Sequence, residues 1–313
     1  MKRIQYHEYG GPEVMRLEEF EPAPLGANQV LVRMRAASAN PMDWGIRAGR
    51  LKLVTGRKFP RGLGYDFAGV VEAVGERVTR VRVGDPVVGG TRIKASGAFA
   101  DVIVAHEDDV VRKPEDLSFE QGATLPIVGV TALQALVTRG KLQRGQAVFI
   151  HGCLGAVGRC AAQIALARGA RVGGSCRDTA ATEAQELGVD PVVAFGFAPK
   201  ALTGRFDLVL DAAGVPGTLP PGEARKMLRP GGRIVGVHPS PGNYLRSALP
   251  GPFHVFATQP NVADLETVVE TAAAGTLRLP IARTVPLSEA IPALTELEQN
   301  RLGKRGKLII TAG

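Results

Sequence analysis

The residues best placed to do chemistry lie in Val148-Phe149-Ile150-His151-Gly152-Cys153-Leu154-Gly155-Ala156-Val157-Gly158, where three glycines recur at every third position between a strand-like apolar run and a helix-like one. A strand that enters a helix through such a turn aims free backbone amides at an anion, and the positive end of the helix dipole holds it there. Gly155 lets the backbone approach a pyrophosphate, Ala156 and Val157 offer outward amides, and Gly158 allows close packing of helix against strand. The pattern departs from G-x-G-x-x-G in carrying Cys153 where the first of those glycines would stand. In this strand-turn-helix context, dinucleotide binding outweighs a purely structural turn.

The end of the following strand selects the dinucleotide, because an acid there holds a ribose diol and a base accommodates a phosphate. The run is Gly173-Gly174-Ser175-Cys176-Arg177, so the acid is missing and Arg177 is placed to pair with a 2′-phosphate through its charge and fork geometry. This predicts NADPH over NADH. Asp178 reads as the N-cap of the next helix. Asp211-Ala212-Ala213-Gly214 ends a later strand with small residues that leave room for a nicotinamide, although a plain strand-to-loop turn explains them equally well.

These residues need a scaffold, and the chain supplies two kinds. Up to about residue 110 the signals are strands and turns: Val30, Val32, Met34 and Ala36 alternate with Leu31, Arg33 and Arg35, and Gly84-Asp85-Pro86 separates valine-rich runs. This predicts a partly open, mostly antiparallel β domain. From Ser118-Phe119-Glu120-Gln121, a capping-box sequence, a helical region is expected through Thr131 to Val137. Strands then alternate with helices: Ala147 to His151, a helix over Ala156 to Ala167, and strands over Arg171 to Ser175, Phe206 to Asp211 and Gly232 to Val237. That order implies a parallel, doubly wound α/β sheet with right-handed crossovers. A helix is expected after Asn261, with Val262, Leu265, Val268, Val269 and Ala272 on one face and Gly275 as its stop. Another over Ser288 to Gln299 leads into a closing strand, Lys307 to Thr311.

The chain has 313 residues, 45% of them apolar and 22% charged, enough for two buried cores. No stretch is apolar for long enough to span a bilayer, and the Met1-Lys2-Arg3 start is followed by no cleavage pattern, so a soluble cytoplasmic protein is expected. Cys153, Cys160 and Cys176 form no CxxC pair, and a reducing compartment fits this sparse set. The net charge of +8 raises the question of a nucleic-acid partner, but the basic residues are scattered and their clearest cluster is Arg301, Lys304, Arg305 and Lys307. A solvated arginine-rich surface accounts for them better. His7, His106, His151, His238 and His254 do not have metal-ligand spacing.

Taken in order, Gly11-Pro12-Glu13-Val14, Ala39-Asn40-Pro41-Met42-Asp43-Trp44, Gly64-Tyr65-Asp66-Phe67-Ala68-Gly69-Val70-Val71, Val83-Gly84-Asp85, Gly129-Val130-Thr131-Ala132, the glycine turn and Leu228-Arg229-Pro230-Gly231-Gly232 resemble the medium-chain dehydrogenase/reductase superfamily, specifically its zinc-independent quinone oxidoreductase branch. The resemblance implies a GroES-like catalytic domain formed by residues 1–122 and 261–313 around a Rossmann domain at 123–260, and commonly a homodimer. It puts Asn40 beside the nicotinamide ribose and Thr131 at the nicotinamide. Gly155, Ala156 and Val157 fall at the pyrophosphate, Ser175 and Arg177 at the adenosine phosphate, and Ala212 and His238 along the coenzyme groove. Zinc-using relatives carry a cysteine near the Asn40 stretch, a Gly-His-Glu where this chain has Gly64-Tyr65-Asp66, and a four-cysteine lobe. None of these is present, so no metal site is expected. Several quinone reductases carry a tyrosine where this chain has Gly45.

The chemistry implied is hydride delivery to a quinone or an α,β-unsaturated carbonyl compound, with solvent able to protonate the resulting anion. Asp43, Trp44 and Tyr65 are the candidate catalytic residues, each with a bland alternative: a backbone hydrogen-bonder, an apolar wall and core packing. Rival readings are an enoyl or alkenal double-bond reductase, and a non-enzymatic NADPH-binding sensor or RNA-binding protein. The last lacks the interleaved basic and aromatic residues of a single-strand platform.

Overall fold

A strand apolar almost throughout folds where both faces are covered, and Ala147–His151, polar only at His151, is buried at every position. It lies third in a six-stranded sheet ordered Val192–Ala194, Arg171–Cys176, Ala147–His151, Phe206–Asp211, Leu228–Gly236, Phe253–Val255, in which every neighbouring pair is parallel. From Ala147–His151 the chain winds outward through Arg171–Cys176 to Val192–Ala194, then returns to the opposite side at Phe206–Asp211. The strand order therefore reverses between Ala147–His151 and Phe206–Asp211, the switch point at which open α/β sheets bind ligands. The computed structural model describes residues 1–214, 217–300 and 306–312. Its backbone contacts define two compact units, one comprising Met1–Ile127 with Pro260–Gly313 and the other Val128–Gln259.

The sheet of the first unit is mostly antiparallel. Gln29–Ser38 pairs with Asp66–Val74, Val102–His106 and Lys307–Thr311, and the parallel pair in the sheet is Ile281–Pro286 with Lys307–Thr311. Val30, Val32, Met34 and Ala36 turn inward while Arg33 and Arg35 face solvent, the alternation that the sequence predicts. Gly69 is required where the strands press together, because a Cβ there would lie 2.2 Å from the Arg33 carbonyl oxygen. A smaller antiparallel sheet, ordered Arg16–Glu19, Lys2–Tyr6, Arg61–Gly62, adds Ile4 and Tyr6 to a core that also holds Phe67, Phe99 and Ile310.

Several local expectations change. Ser118 caps a helix by accepting from the Gln121 amide at 3.1 Å, but that helix ends at Ala123. Pro126 has no amide to continue it and instead opens the Pro126–Leu133 helix, which passes into a wider π-turn over Gln134–Arg139. Asp178 is not an N-cap: Arg177 occupies that position before a short 3₁₀ turn, Asp178–Ala180, and the α-helix begins at Ala181. The strand expected from Gly232 begins at Leu228, and the last helix runs over Ala290–Asn300. Asn261 caps the Val262–Ala273 helix by accepting from the Asp264 amide at 3.1 Å. Lys307 is 6% exposed, so it does not belong to a solvated basic cluster. The remaining members of that cluster, Arg301, Lys304 and Arg305, lie outside the described residues. No described helix is long and apolar enough to cross a membrane.

Candidate functional site

In the Val128–Gln259 unit the glycine turn sits at the carboxyl end of Ala147–His151. Gly152 adopts φ +81, and the Ala156–Ala167 helix starts with Gly155 as its N-cap. The first amides of a helix have no carbonyl one turn earlier, which leaves those of Ala156 and Val157 for a ligand. Gly155 is exposed, and a Cβ there would approach only the Gly152 carbonyl, at 3.3 Å, so the surface above the turn is open to an anion. Gly158 has a different duty. Its Cβ would lie 2.1 Å from the Gly152 oxygen, so this glycine packs the helix onto the turn itself.

Arg177 is exposed and makes no ion pair among the described residues, which leaves its guanidinium free for an anionic ligand. Ser175 is not open to solvent. It is fully buried, and its hydroxyl meets His151 Nδ1 at 2.6 Å and the Gly152 amide at 3.2 Å, so it braces the turn where a phosphate contact was expected. Thr131 bonds Thr258 through their hydroxyls at 2.6 Å. The Ala212 amide donates to the His151 carbonyl at 3.0 Å. His238 bonds the backbone at Ala213, burial lowers its pKa so the ring is neutral, and its buried Nε2 has no hydrogen-bond partner among the described residues. An orphaned ring nitrogen, open glycine backbone and an unpaired arginine together fit a dinucleotide.

The Met1–Ile127 and Pro260–Gly313 unit holds a second assembly, placed by strand register. Ser38 lies opposite both Asp66 and Ile309, and continuing two residues beyond Ile309 brings Lys307 opposite Asn40. Lys307 Nζ donates to Asn40 Oδ1 at 2.6 Å, and Asn40 Nδ2 donates to Asp66 Oδ2 at 2.9 Å. The other Asp66 oxygen accepts from the Ile127 amide at 2.9 Å. Asp43 closes the start of the Pro41–Arg47 helix, accepting from the Asn40 amide at 2.7 Å. All five side chains, from Ser38, Asn40, Asp43, Asp66 and Lys307, are buried. Burial raises the Asp43 carboxyl to about 8 and the Asp66 carboxyl to about 6, against the opposing pull of Lys307 on both.

Asp43, expected among the catalytic groups, is therefore a buried helix cap. Trp44 is half-buried on the same short helix. Tyr65 is 9% exposed and its ring lies against Gly90. Burial raises its pKa, so the phenol stays neutral and able to donate. Sequence reasoning missed Lys307 and Asp66 as members of this cluster. The available signal was a lysine leading an otherwise apolar strand, since a charge in such a place is buried only with partners.

The six-stranded parallel sheet and its glycine turn have the form of a dinucleotide-binding fold. Residues 26–115 match the family model "Alcohol dehydrogenase GroES-like domain" and residues 187–310 match "Zinc-binding dehydrogenase". A quinone oxidoreductase of Sus scrofa is 41% identical over 184 residues, 58% of this chain and 54% of that protein. The chain thus spans about half the length of the curated relatives first matched. A chloroplast envelope quinone oxidoreductase homolog of Arabidopsis thaliana is 30% identical over 77% of this chain and 76% of its own length. The solved quinone oxidoreductase of Coxiella burnetii superposes with a TM-score of 0.88 at 30% identity, covering 100% of this chain and 99% of that one. The chain belongs to the medium-chain dehydrogenase/reductase superfamily, in its quinone oxidoreductase branch.

That family implies a nicotinamide cofactor, which the glycine turn fits. The metal in the name of the second family model fits less well. No group of three His, Cys, Asp or Glu side chains capable of holding a metal occurs among the described residues. Where Asp43 and Asp66 converge, Lys307 already supplies a cation.

Proposed function

We propose that this protein is an NADPH-dependent, zinc-independent reductase of quinones and α,β-unsaturated carbonyl compounds. The observation that carries the coenzyme choice is the exposed, unpaired Arg177 directly after a strand that ends without an acid. The Ala156 and Val157 amides receive the pyrophosphate and the Arg177 guanidinium the 2′-phosphate, while His238 Nε2 lines the groove. When bound, the coenzyme supplies a hydride to an electron-poor carbon. Tyr65 keeps a neutral hydroxyl able to donate to an acceptor oxygen, and solvent supplies the final proton.

The test is the ratio of NADPH to NADH affinity, measured by fluorescence titration. Arg177→Ala is expected to reduce that ratio by about 10- to 100-fold, the worth of a charged hydrogen-bonded contact. An unchanged ratio would overturn the phosphate assignment.

A second reading, reduction of enones or enoyl thioesters alone, is favoured by Gly45. It is buried, and a Cβ there would meet only the Arg50 side chain, at 3.7 Å, so no phenol stands at this position to hold a quinone oxygen. A panel of quinones and enones, read by NADPH oxidation, separates the two.

A further inference from the structure

His151 is used nowhere in the proposed reaction, yet both its ring nitrogens are engaged in a buried position, 3% exposed. Nε2 lies 2.7 Å from the Gly217 carbonyl oxygen and Nδ1 lies 2.6 Å from Ser175 Oγ. A carbonyl only accepts, so Nε2 carries the proton. Burial lowers the pKa and keeps the ring neutral, so Nδ1 is bare and accepts the Ser175 hydroxyl proton. The Gly152 amide is shared between this oxygen, at 3.2 Å, and the Ser175 carbonyl, at 3.1 Å.

The bonds therefore form a directed chain: Gly152 N–H to Ser175 Oγ, Ser175 O–H to His151 Nδ1, and His151 Nε2–H to Gly217 O. It joins the carboxyl ends of two adjacent strands, Arg171–Cys176 and Ala147–His151, to Gly217, which follows the third strand, Phe206–Asp211. Neighbouring contacts stiffen both ends. The Cys153 amide donates to the Ser175 carbonyl at 3.0 Å, and Asp211 accepts from the amides of Ala213 at 3.3 Å and Leu219 at 3.0 Å. Gly152 itself packs so closely on Ala213 that a Cβ would lie 3.0 Å from its backbone. Phe195 meets the imidazole edge-on, with centroids 5.3 Å apart.

We propose that His151 is a positioning residue for the coenzyme, tying the pyrophosphate turn to Gly217 so that the turn keeps its shape before ligand arrives. This rests on the dinucleotide reading of the turn. Preorganised loops bind with less ordering cost, so loosening the tie weakens affinity without touching the ligand.

The test uses the whole protein and two variants that each keep half of the chain. In His151→Gln the side-chain amide reaches the Gly217 carbonyl; in His151→Asn it reaches only Ser175. NADPH and NADH dissociation constants are measured by fluorescence titration, with the melting temperature of the coenzyme-free protein alongside. Asn is expected to weaken both coenzymes by about tenfold, the worth of one hydrogen bond, with their ratio unchanged, while Gln stays within about threefold of wild type. Asn binding both coenzymes as tightly as wild type, or a fall in melting temperature alone, overturns the proposal. A wild-type protein that binds neither dinucleotide would overturn the coenzyme reading, and the positioning role with it.

Discussion

Replacing Lys307 with methionine keeps the length of the side chain and removes the one cation that faces Asp43 and Asp66 within their cluster. The cost should depend on pH in a defined direction. Burial raises the Asp66 carboxyl from 3.8 to about 6, so the folded state binds this proton more readily than the unfolded state. Its contribution to stability is full below the unfolded value and is lost as pH rises through about 6. Above that point the wild-type carboxylate ionises beside Lys307, whereas the variant must keep Asp66 protonated or bury an unpaired charge. Holding the proton from pH 6 to pH 8 costs about 1.4 kcal/mol per unit, roughly 2.7 kcal/mol in all. The lost bond to Asn40 adds about 1 kcal/mol at every pH. The total near pH 8, about 4 kcal/mol, falls within the roughly 3–5 kcal/mol of a broken buried ion pair. Asp43, raised to about 8, stays largely protonated over most of this range and changes the sum little. At about 2 °C per kcal/mol, melting should fall by about 8 °C at pH 8 and about 2 °C at pH 5. Adding Asp66→Asn should remove the difference between the two conditions. Scanning fluorimetry at both pH values decides it. An equal fall at each, or a larger one in acid, would refute the charge-pairing account.

Two of the three glycines of the turn should separate stability from binding. Gly158→Ala, whose methyl would lie 2.1 Å from a backbone oxygen, should cost several degrees of melting temperature and coenzyme affinity together. Gly155→Ala, whose methyl would fill the open cradle, should leave melting within about 2 °C, as surface changes do, while titration shows weaker NADPH binding. Tyr65→Phe should raise KM for the acceptor and leave kcat within about threefold. A dedicated acid contributes about 10²–10⁴, and a loss of that size in steady-state assays would make Tyr65 the proton donor.

What the sequence made legible was local. Val148 to Gly158 carries its strand, turn and helix start within one contiguous run, and Arg177 follows a strand whose length fixes where its end falls. Where side chains point across non-local pairs, the sequence was silent or misleading. The resemblance puts Ser175 at the adenosine phosphate, yet its fully buried hydroxyl meets His151 Nδ1 on the neighbouring strand. Asp178 reads as a cap because helices begin with such residues, but a 3₁₀ turn intervenes.

Lys307 is the sharpest case, since its partner Asn40 lies 267 positions away and only the register of Lys307–Thr311 on Gln29–Ser38 brings them together. The buried cluster and the His151 chain nevertheless obey one rule that sequence can express. A buried polar residue at the end of an apolar strand needs a hydrogen-bond partner, from a neighbouring strand end or from the segment beside it. His151, Ser175 and Asp211 end three neighbouring strands or nearly so, and Ser38, Asp66 and Lys307 stand at the ends of three others. Polar residues at strand ends are therefore the positions from which to start when a buried network is sought in a sheet whose strand order is already known.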